Sequence, residues 1–366
     1  MKSAKLPIIA VVIPCFKVRP HILVVLAGIG PSVARIYAVD DCCPERSGDL
    51  IEADCADPRV MVLRHAQNQG VGGAMVTGYR RARADGADII VKIDGDGQMD
   101  PSLLDHFTAP IIAGRADYTK GNRFFDITAL KPMPPVRVFG NAGLSFLTKL
   151  SSGYWTLFDP TNGYTAIHAK LIDFIPLDAL PRRYFFESDM LFRLGTLRAC
   201  VMDIPMAAVY GDEVSNMNIK KVIPEFLRGH ARNFTKRLVY NYFLRDFSLA
   251  SLEFVAGVLL IGFGTLAGLY FWIHNGLLNV TTSSGTVMLA ALPIILGLQL
   301  LLSFIGYDIA SVPSSAIFPT LPDKMGPDKM GPDKMGPDKI GPNGMRPDRL
   351  GGDRLGGDRL GGDQHG

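Results

Sequence analysis

Two uncharged apolar runs set the strongest limit on what this chain can fold into. Phe254 to Ile273 and Val287 to Ile305 contain no Asp, Glu, Lys or Arg. At 1.5 Å of rise per helical residue, each can cross a hydrocarbon layer about 30 Å thick. Pro293 and Gln299 are tolerable there, because neighbouring helices can satisfy the backbone groups they free. The intervening stretch His274 to Thr286 has no Lys or Arg, whereas Arg245 precedes the pair and Lys324 follows it. The excess of cations on the flanks predicts that both flanks are cytoplasmic and that a short loop lies outside. A buried core hairpin is the alternative.

The runs divide the chain into four expected parts: a globular domain over 1–218, an interfacial segment over 219–250, two membrane helices over 251–310 and a low-complexity tail over 311–366. The average composition, 48% hydrophobic and 20% charged over 366 residues, conceals these differences. The net charge of +3 is too small to argue for nucleic acid. Cys15, Cys42, Cys43, Cys55 and Cys200 include no CxxC or Cys/His spacing, so reduced thiols are expected rather than a disulfide framework or zinc site. The start, MKSAKLPIIAVVIPCF, has the lysines of a signal peptide, but its apolar run is short and interrupted by Pro7, which favours a buried first strand.

Short β-branched runs recur at roughly 25-residue spacing in the first hundred residues. They are Ile8 to Ile13, Arg35 to Val39, Val60 to Leu63 and Asp88 to Ile93, with helix-capable segments between them. Their apolar character is continuous rather than alternating, as in strands buried on both faces, so a parallel, doubly wound α/β sheet is expected. Ligands of such sheets bind beyond the C-terminal strand ends. The residues at those ends are Cys15-Phe16-Lys17, Asp40-Asp41 and Asp94-Gly95-Asp96-Gly97-Gln98.

Between Ile219 and Ser248, seven Lys and Arg residues interleave with Phe226, Leu227, Phe234, Leu238, Tyr242 and Phe243, and Pro224 is expected to break the helix near its start. A basic aromatic helix ahead of an apolar span reads as one lying on anionic lipid, the alternative being a solvated basic face. Past Pro319 the chain repeats PDKMG and RLGGD at a five-residue period, with too little apolar content to bury. Disorder is expected there rather than a solenoid.

The DGDGQ run suggests chemistry. Cleaving a nucleotide sugar releases a diphosphate, and a divalent cation held by carboxylates neutralises the charge that develops. Asp94 and Asp96 can point into one mouth after a strand, with Gln98 as a neutral oxygen ligand; a polar turn is the bland alternative.

VVIPCF, VDDCCP, Asn68-Gln69-Gly70 followed by GGAMVTGYRRA, KIDGDGQMDP, GNRF at Gly121 to Phe124, and FFESDM occur in this order. Together they resemble family-2 glycosyltransferases of the GT-A fold over about residues 8 to 307. The two C-terminal spans make the chain similar to the polyprenyl-phosphate subgroup, typified by dolichol-phosphate mannosyltransferase and bacterial undecaprenyl-phosphate glycosyltransferases. The resemblance implies a Rossmann-like nucleotide-sugar domain followed by two membrane helices. It implies that Pro14, Cys15 and Phe16 line the nucleotide pocket, that Asp40 and Asp41 contact base or ribose, and that Asp94, Asp96 and Gln98 hold Mg²⁺ or Mn²⁺. Arg123 and Arg137 correspond to residues that hold diphosphate or acceptor phosphate, a task that suits a guanidinium fork.

Glu187 and Asp189 fall on the family's acidic acceptor-side motif, as positioning or electrostatic residues or as plain helix-start acids. A lipid phosphate, with a second ionisation near pH 6, is already nucleophilic and needs no base. The expected reaction is inverting transfer of a hexose from a UDP- or GDP-sugar to a polyprenyl phosphate at the cytoplasmic face of a bacterial plasma membrane; a homo-oligomer is compatible with the sequence.

Departures from the family pattern bear on sugar and nucleotide. Phe16-Lys17-Val18 replaces YNE, Cys42-Cys43-Pro44 replaces a small Ser-containing turn, and Gly163-Tyr164-Thr165 stands where GFR is frequent. A processive polysaccharide synthase is disfavoured because neither Trp155 nor Trp272 follows an Arg. The segment Gly70 to Gly73 lacks the third glycine of a dinucleotide loop. A non-catalytic scaffold is disfavoured by the complete acidic motif. His65 and His106 have no partners at ligand spacing and read as ordinary residues.

Overall fold

The computed structural model describes residues 6–125, 135–207 and 219–322, with side chains from 138 and 223 onward in the last two segments. Among these residues a seven-stranded sheet runs in the order β3-β2-β1-β4-β6-β5-β7. Its strands are β1 (Ile9–Cys15), β2 (Val33–Asp40), β3 (Val60–Arg64), β4 (Ile89–Lys92), β5 (Tyr118–Asn122), β6 (Thr165–His168) and β7 (Val201–Pro205). The first four are parallel, as expected. The wholly parallel sheet is corrected at β6, which pairs antiparallel with both β4 and β5. Its short TAIH run carries no periodicity that reveals its direction; only its partners do.

β1 shows why the strands read as continuous apolar runs. Ala10 and Val12 pack into the core on one face, Val11 and Ile13 into the core on the other, and all four are inaccessible to solvent. Each fully buried branched side chain contributes about 1.5–3 kcal/mol before chain entropy is subtracted. The helices α1 (Ile22–Gly28), α2 (Ser47–Asp54), α3 (Gly70–Ala84), α4 (Leu104–Ile112), α5 (Pro135–Ser152) and α6 (Phe186–Leu197) complete the domain. Phe107 of α4 stacks on Tyr164 at 3.9 Å between ring centres, closing one layer.

α7 (Ile219–Val239) continues through Pro224, so the expected break does not occur. A π-helical turn, Tyr240–Arg245, then leads to α8 (Leu249–Leu277) and α9 (Ser284–Ala310). Both last helices are long and apolar enough to cross a membrane, and only 11% of the most apolar stretch of each is buried within the chain. That exposure argues against a core hairpin, since a soluble core would cover them.

Residues 311–322, grouped with the tail on sequence, fold back onto the domain. Val312, Ile317, Phe318 and Leu321 pack against its core. The backbone N–H groups of Ile317 and Phe318 donate to the buried Asp117 carboxylate at 2.8–3.0 Å, and Phe318 stacks on His168 at 3.9 Å. The repeats from 323 onward lie outside the described residues.

Candidate active site

A cavity of about 640 Å³ opens beyond the C-terminal ends of β1 and β4, within the range of small-molecule sites. Pro14, Cys15 and Phe16 line it from the end of β1, and Asp94, Gly95 and Asp96 from the turn after β4. Pro14, Cys15, Phe16, Asp94 and Asp96, among the sequence-predicted residues, thus line one cavity, because parallel pairing of β1 with β4 puts both strand ends on one edge.

The two acids after β2 separate. Asp40 faces α2: its carboxylate accepts from the Cys43 and Gly48 N–H groups, each at 2.8 Å. Asp41 lines the cavity, yet its oxygens accept from the Gln69 and Gly70 N–H groups and meet His65 Nδ1, all at 2.7 Å. Asp41 therefore orders the start of α3, where a negative charge is favoured by the helix dipole. His65, expected to be an ordinary residue, ties Asp41 to Thr77, whose hydroxyl lies 2.8 Å from Nε2.

The glycine-rich start of α3 has a packing purpose. A Cβ on Gly70, at φ +79°, would lie 2.4 Å from the Arg182 carbonyl oxygen, and one on Gly72 would lie 2.1 Å from that of Pro181. Glycine at both positions lets the Pro181–Arg183 backbone rest on the helix start, where the Gly72 N–H donates to the Arg182 carbonyl at 2.9 Å. That contact brings Arg183 and Tyr184 to the cavity wall. Neither was singled out in the sequence, where they sit beside FFESDM without a motif of their own.

Glu187 and Asp189 also diverge. Asp189, fully buried, accepts from Arg193 at 2.7 Å and from Asn233 at 2.9 Å, with Arg232 at 3.3 Å, so it binds α6 to α7. Glu187 instead points to Lys92, 3.5 Å away. The Lys92 ammonium donates to Asp94 Oδ1 at 2.6 Å and to the Gly163 carbonyl at 3.2 Å. Burial alone would push Lys92 down, but the Asp94 and Glu187 carboxylates outweigh it and hold the ammonium above its ordinary range. Burial pushes Glu187 up against the opposing charge of Lys92. Sequence reasoning passed over Lys92; the available signal was a lysine inside an apolar strand run, a residue rarely buried unless paired.

A second buried lysine, Lys120, donates to the Asn162 carbonyl at 2.6 Å, and burial pushes it down to about 8. Arg123 makes a two-point contact with Asp159 at 2.8 and 3.0 Å. Burial would raise Asp159, but the Arg123 hydrogen bonds and the Lys120 charge hold it below the usual carboxylate range. Arg123 is not among the residues lining the cavity. Arg137 falls in the first turn of α5, and its side chain lies outside the described ones.

The donor set suits a hard divalent cation. Mg²⁺ is commonly held by one or two carboxylates with phosphate oxygens and water completing the shell, and Asp94 and Asp96 offer two partly exposed carboxylates to one cavity. Gln98 is not among the lining residues; its backbone N–H donates to Asp96 Oδ1 at 3.0 Å. Among the described residues no group of three or more His, Cys, Asp or Glu is gathered for a metal.

Comparison with known proteins gives the family. The model of the family described as glycosyl transferase family 2 matches residues 10–175. The chain is 33% identical over 152 residues to UDP-N-acetylglucosamine–dolichyl-phosphate N-acetylglucosaminyltransferase of Methanococcus voltae, spanning 42% of this chain and 60% of that protein. It is 31% identical over 176 residues to undecaprenyl-phosphate mannosyltransferase of Micrococcus luteus, spanning 48% of this chain and 71% of that one. The match thus covers less than two thirds of the first relative. Glucosyl-3-phosphoglycerate synthase of Mycobacterium tuberculosis, solved with Mn²⁺, UDP-glucose and phosphoglyceric acid, superposes on 63% of this chain and 79% of that one at a TM-score of 0.48 and 17% identity; at that distance nothing transfers about substrate. With the strand-end acidic motif placed in a mixed α/β sheet and the M. luteus relative matched over most of its length, the chain belongs to glycosyl transferase family 2 and has its GT-A fold.

Proposed function

We propose that the chain transfers a hexosyl unit, with inversion, from a UDP- or GDP-sugar to a polyprenyl phosphate at the cytoplasmic face of a membrane. The observation that carries this reading is the convergence of Asp94 and Asp96 on the cavity that Pro14, Cys15, Phe16 and Arg183 also line. The relatives' names, which pair a sugar with dolichyl or undecaprenyl phosphate, support the acceptor class.

Asp94 and Asp96 would hold Mg²⁺ or Mn²⁺, which when bound neutralises charge on the leaving diphosphate. An acceptor phosphate oxygen attacks the anomeric carbon of the sugar. The bond from that carbon to the diphosphate breaks, the nucleoside diphosphate departs with the electron pair, and the configuration inverts. No proton need be removed from the attacking oxygen near pH 7, which suits the use of Asp189 as a fastener. Arg183, at the cavity wall, supplies a cation for phosphate oxygens. α7 and the two long helices would hold the site at the lipid surface where such an acceptor resides.

The test incubates membranes carrying the full chain with labelled UDP- and GDP-sugars, polyprenyl phosphate and Mg²⁺ or Mn²⁺, then measures label extracted into organic solvent. One donor should yield an extractable product that EDTA suppresses. No product from any donor overturns the proposal.

A further inference from the structure

The cation site contains a cation of its own. Lys92 is 1% exposed on the central strand β4, and its ammonium lies 2.6 Å from Asp94 Oδ1 and 3.5 Å from Glu187 Oε1. The Gly163 carbonyl accepts from the same nitrogen. Gly163 also packs tightly on this pair: a Cβ there would lie 2.4 Å from Lys92 Nζ and 2.5 Å from Asp94 Oδ2. The ammonium is therefore held against the first carboxylate of the acidic motif from two sides and has little room to withdraw.

A positive charge at that distance opposes a second one at the same carboxylate. Two like charges a few ångströms apart repel strongly where burial keeps water from screening them. A divalent ion meeting Asp94 without phosphate thus encounters a carboxylate already paired with an ammonium. A diphosphate adds negative oxygens that Lys92 does not offset. Resting on the functional reading above, we propose that Lys92 is a positioning residue that makes cation binding conditional on the nucleotide diphosphate, by holding Asp94 neutralised until the donor arrives.

The consequence is an order of loading. The cation and the diphosphate enter together or the diphosphate first, and each strengthens the other by the same factor, because coupling between two ligands is reciprocal. Glu187 belongs to the same device, since its carboxylate shares the ammonium. In the sequence these residues are 95 positions apart, and nothing local links them.

The experiment titrates Mn²⁺ into the purified full-length protein in detergent and follows free Mn²⁺ by electron paramagnetic resonance, alone and with saturating UDP or GDP. In the wild type, one nucleotide should tighten Mn²⁺ binding by roughly tenfold or more. In Lys92→Gln and Lys92→Met, binding of Mn²⁺ alone should become several-fold tighter and the gain from nucleotide should shrink. Lys92→Arg, which keeps the charge, should behave as wild type. A residue needed only to shape the site would instead give weaker Mn²⁺ binding when replaced by a neutral one.

Unchanged or weaker binding of Mn²⁺ alone in folded Lys92→Gln overturns the inference. If the neutral variants fail to fold, the wild type still decides: equal Mn²⁺ affinity with and without nucleotide overturns it. Absence of Mn²⁺ binding under every condition overturns the cation-site reading itself, an outcome distinct from loss of coupling.

Discussion

Two buried ionic clusters, one at the cavity and one beside the long helices, use the same chemistry to opposite ends. Beside the helices, Asp308 near the end of α9 accepts from Arg237 at 2.6 and 2.9 Å, from the Tyr242 hydroxyl at 2.5 Å and from Trp155 Nε1 at 2.8 Å. Both Asp308 and Arg237 are almost wholly inaccessible to solvent. The partners come from α7 and the turn that continues it and from the loop after α5, so this cluster fastens α9 to both. At the cavity, Asp94 stays partly exposed and shares one lysine with Glu187. The difference teaches what each is for. A charge surrounded by donors within the protein is a fastener, whereas carboxylates left facing a cavity are placed for a ligand.

The largest effect should come from breaking the fastener. Asp308→Asn leaves the Arg237 guanidinium buried and unpaired, and should destabilise the folded protein by about 3–5 kcal/mol, read as a fall in melting temperature in detergent. Replacing both partners together, Arg237→Met with Asp308→Leu, should recover most of that loss, because it removes the uncompensated charge.

Asp96→Asn should separate the two clusters cleanly. Label transfer to lipid should fall at least about a hundredfold, the scale expected when one electrostatic stabiliser of a transition state is removed, while the melting temperature stays near wild type. A variant that melts early would mean that Asp96 is a fastener too.

A smaller effect concerns the segment after α9. Burial, the main cause, pushes His168 down to about 4 from its ordinary 6.5 where it stacks on Phe318. The depressed value means that the unfolded chain takes up the proton first. The stability contributed by neutral His168 is therefore complete above about pH 6.5 and is lost as pH falls toward 4, on the order of 2 kcal/mol at pH 5. Urea unfolding at pH 7 and pH 5 should show this slope, and His168→Phe should flatten it.

The smallest effect on transfer is expected at Asp40. The Cys43 and Gly48 N–H groups go to different oxygens of Asp40, so Asp40→Asn keeps an acceptor for only one of them and stability should fall by about 1–3 kcal/mol. Transfer activity should be little changed, in contrast to the expectation that Asp40 contacts the base or ribose. A large rise in KM for the donor with unchanged stability would restore that role.

Much of the fold was legible in the sequence because its signals are local. Continuous β-branched runs marked the first four strands, and the DGDGQ run followed one of them. The uncharged runs marked α8 and α9, whose side chains do remain uncovered by the rest of the chain. The antiparallel β6 was not legible, since strand direction is a property of its neighbours. The same limit explains the site. Adjacent or near-adjacent acids looked equivalent, yet Asp40 and Asp189 turned to α2 and α7 while Asp41 and Glu187 turned toward the cavity and Lys92.

The sequence by itself determined that this chain has an α/β domain with the motifs of glycosyl transferase family 2 and two apolar helices, because periodicity, charge and short motifs are encoded within a few turns or one strand. Only the tertiary structure decided which charges meet. Lys92 finds Glu187, Arg237 finds Asp308, and the segment at Ile317 finds Asp117 across 95, 71 and 200 positions. Such pairs form where strand order and helix packing exclude water, since a buried charge without a partner would be too unfavourable to keep.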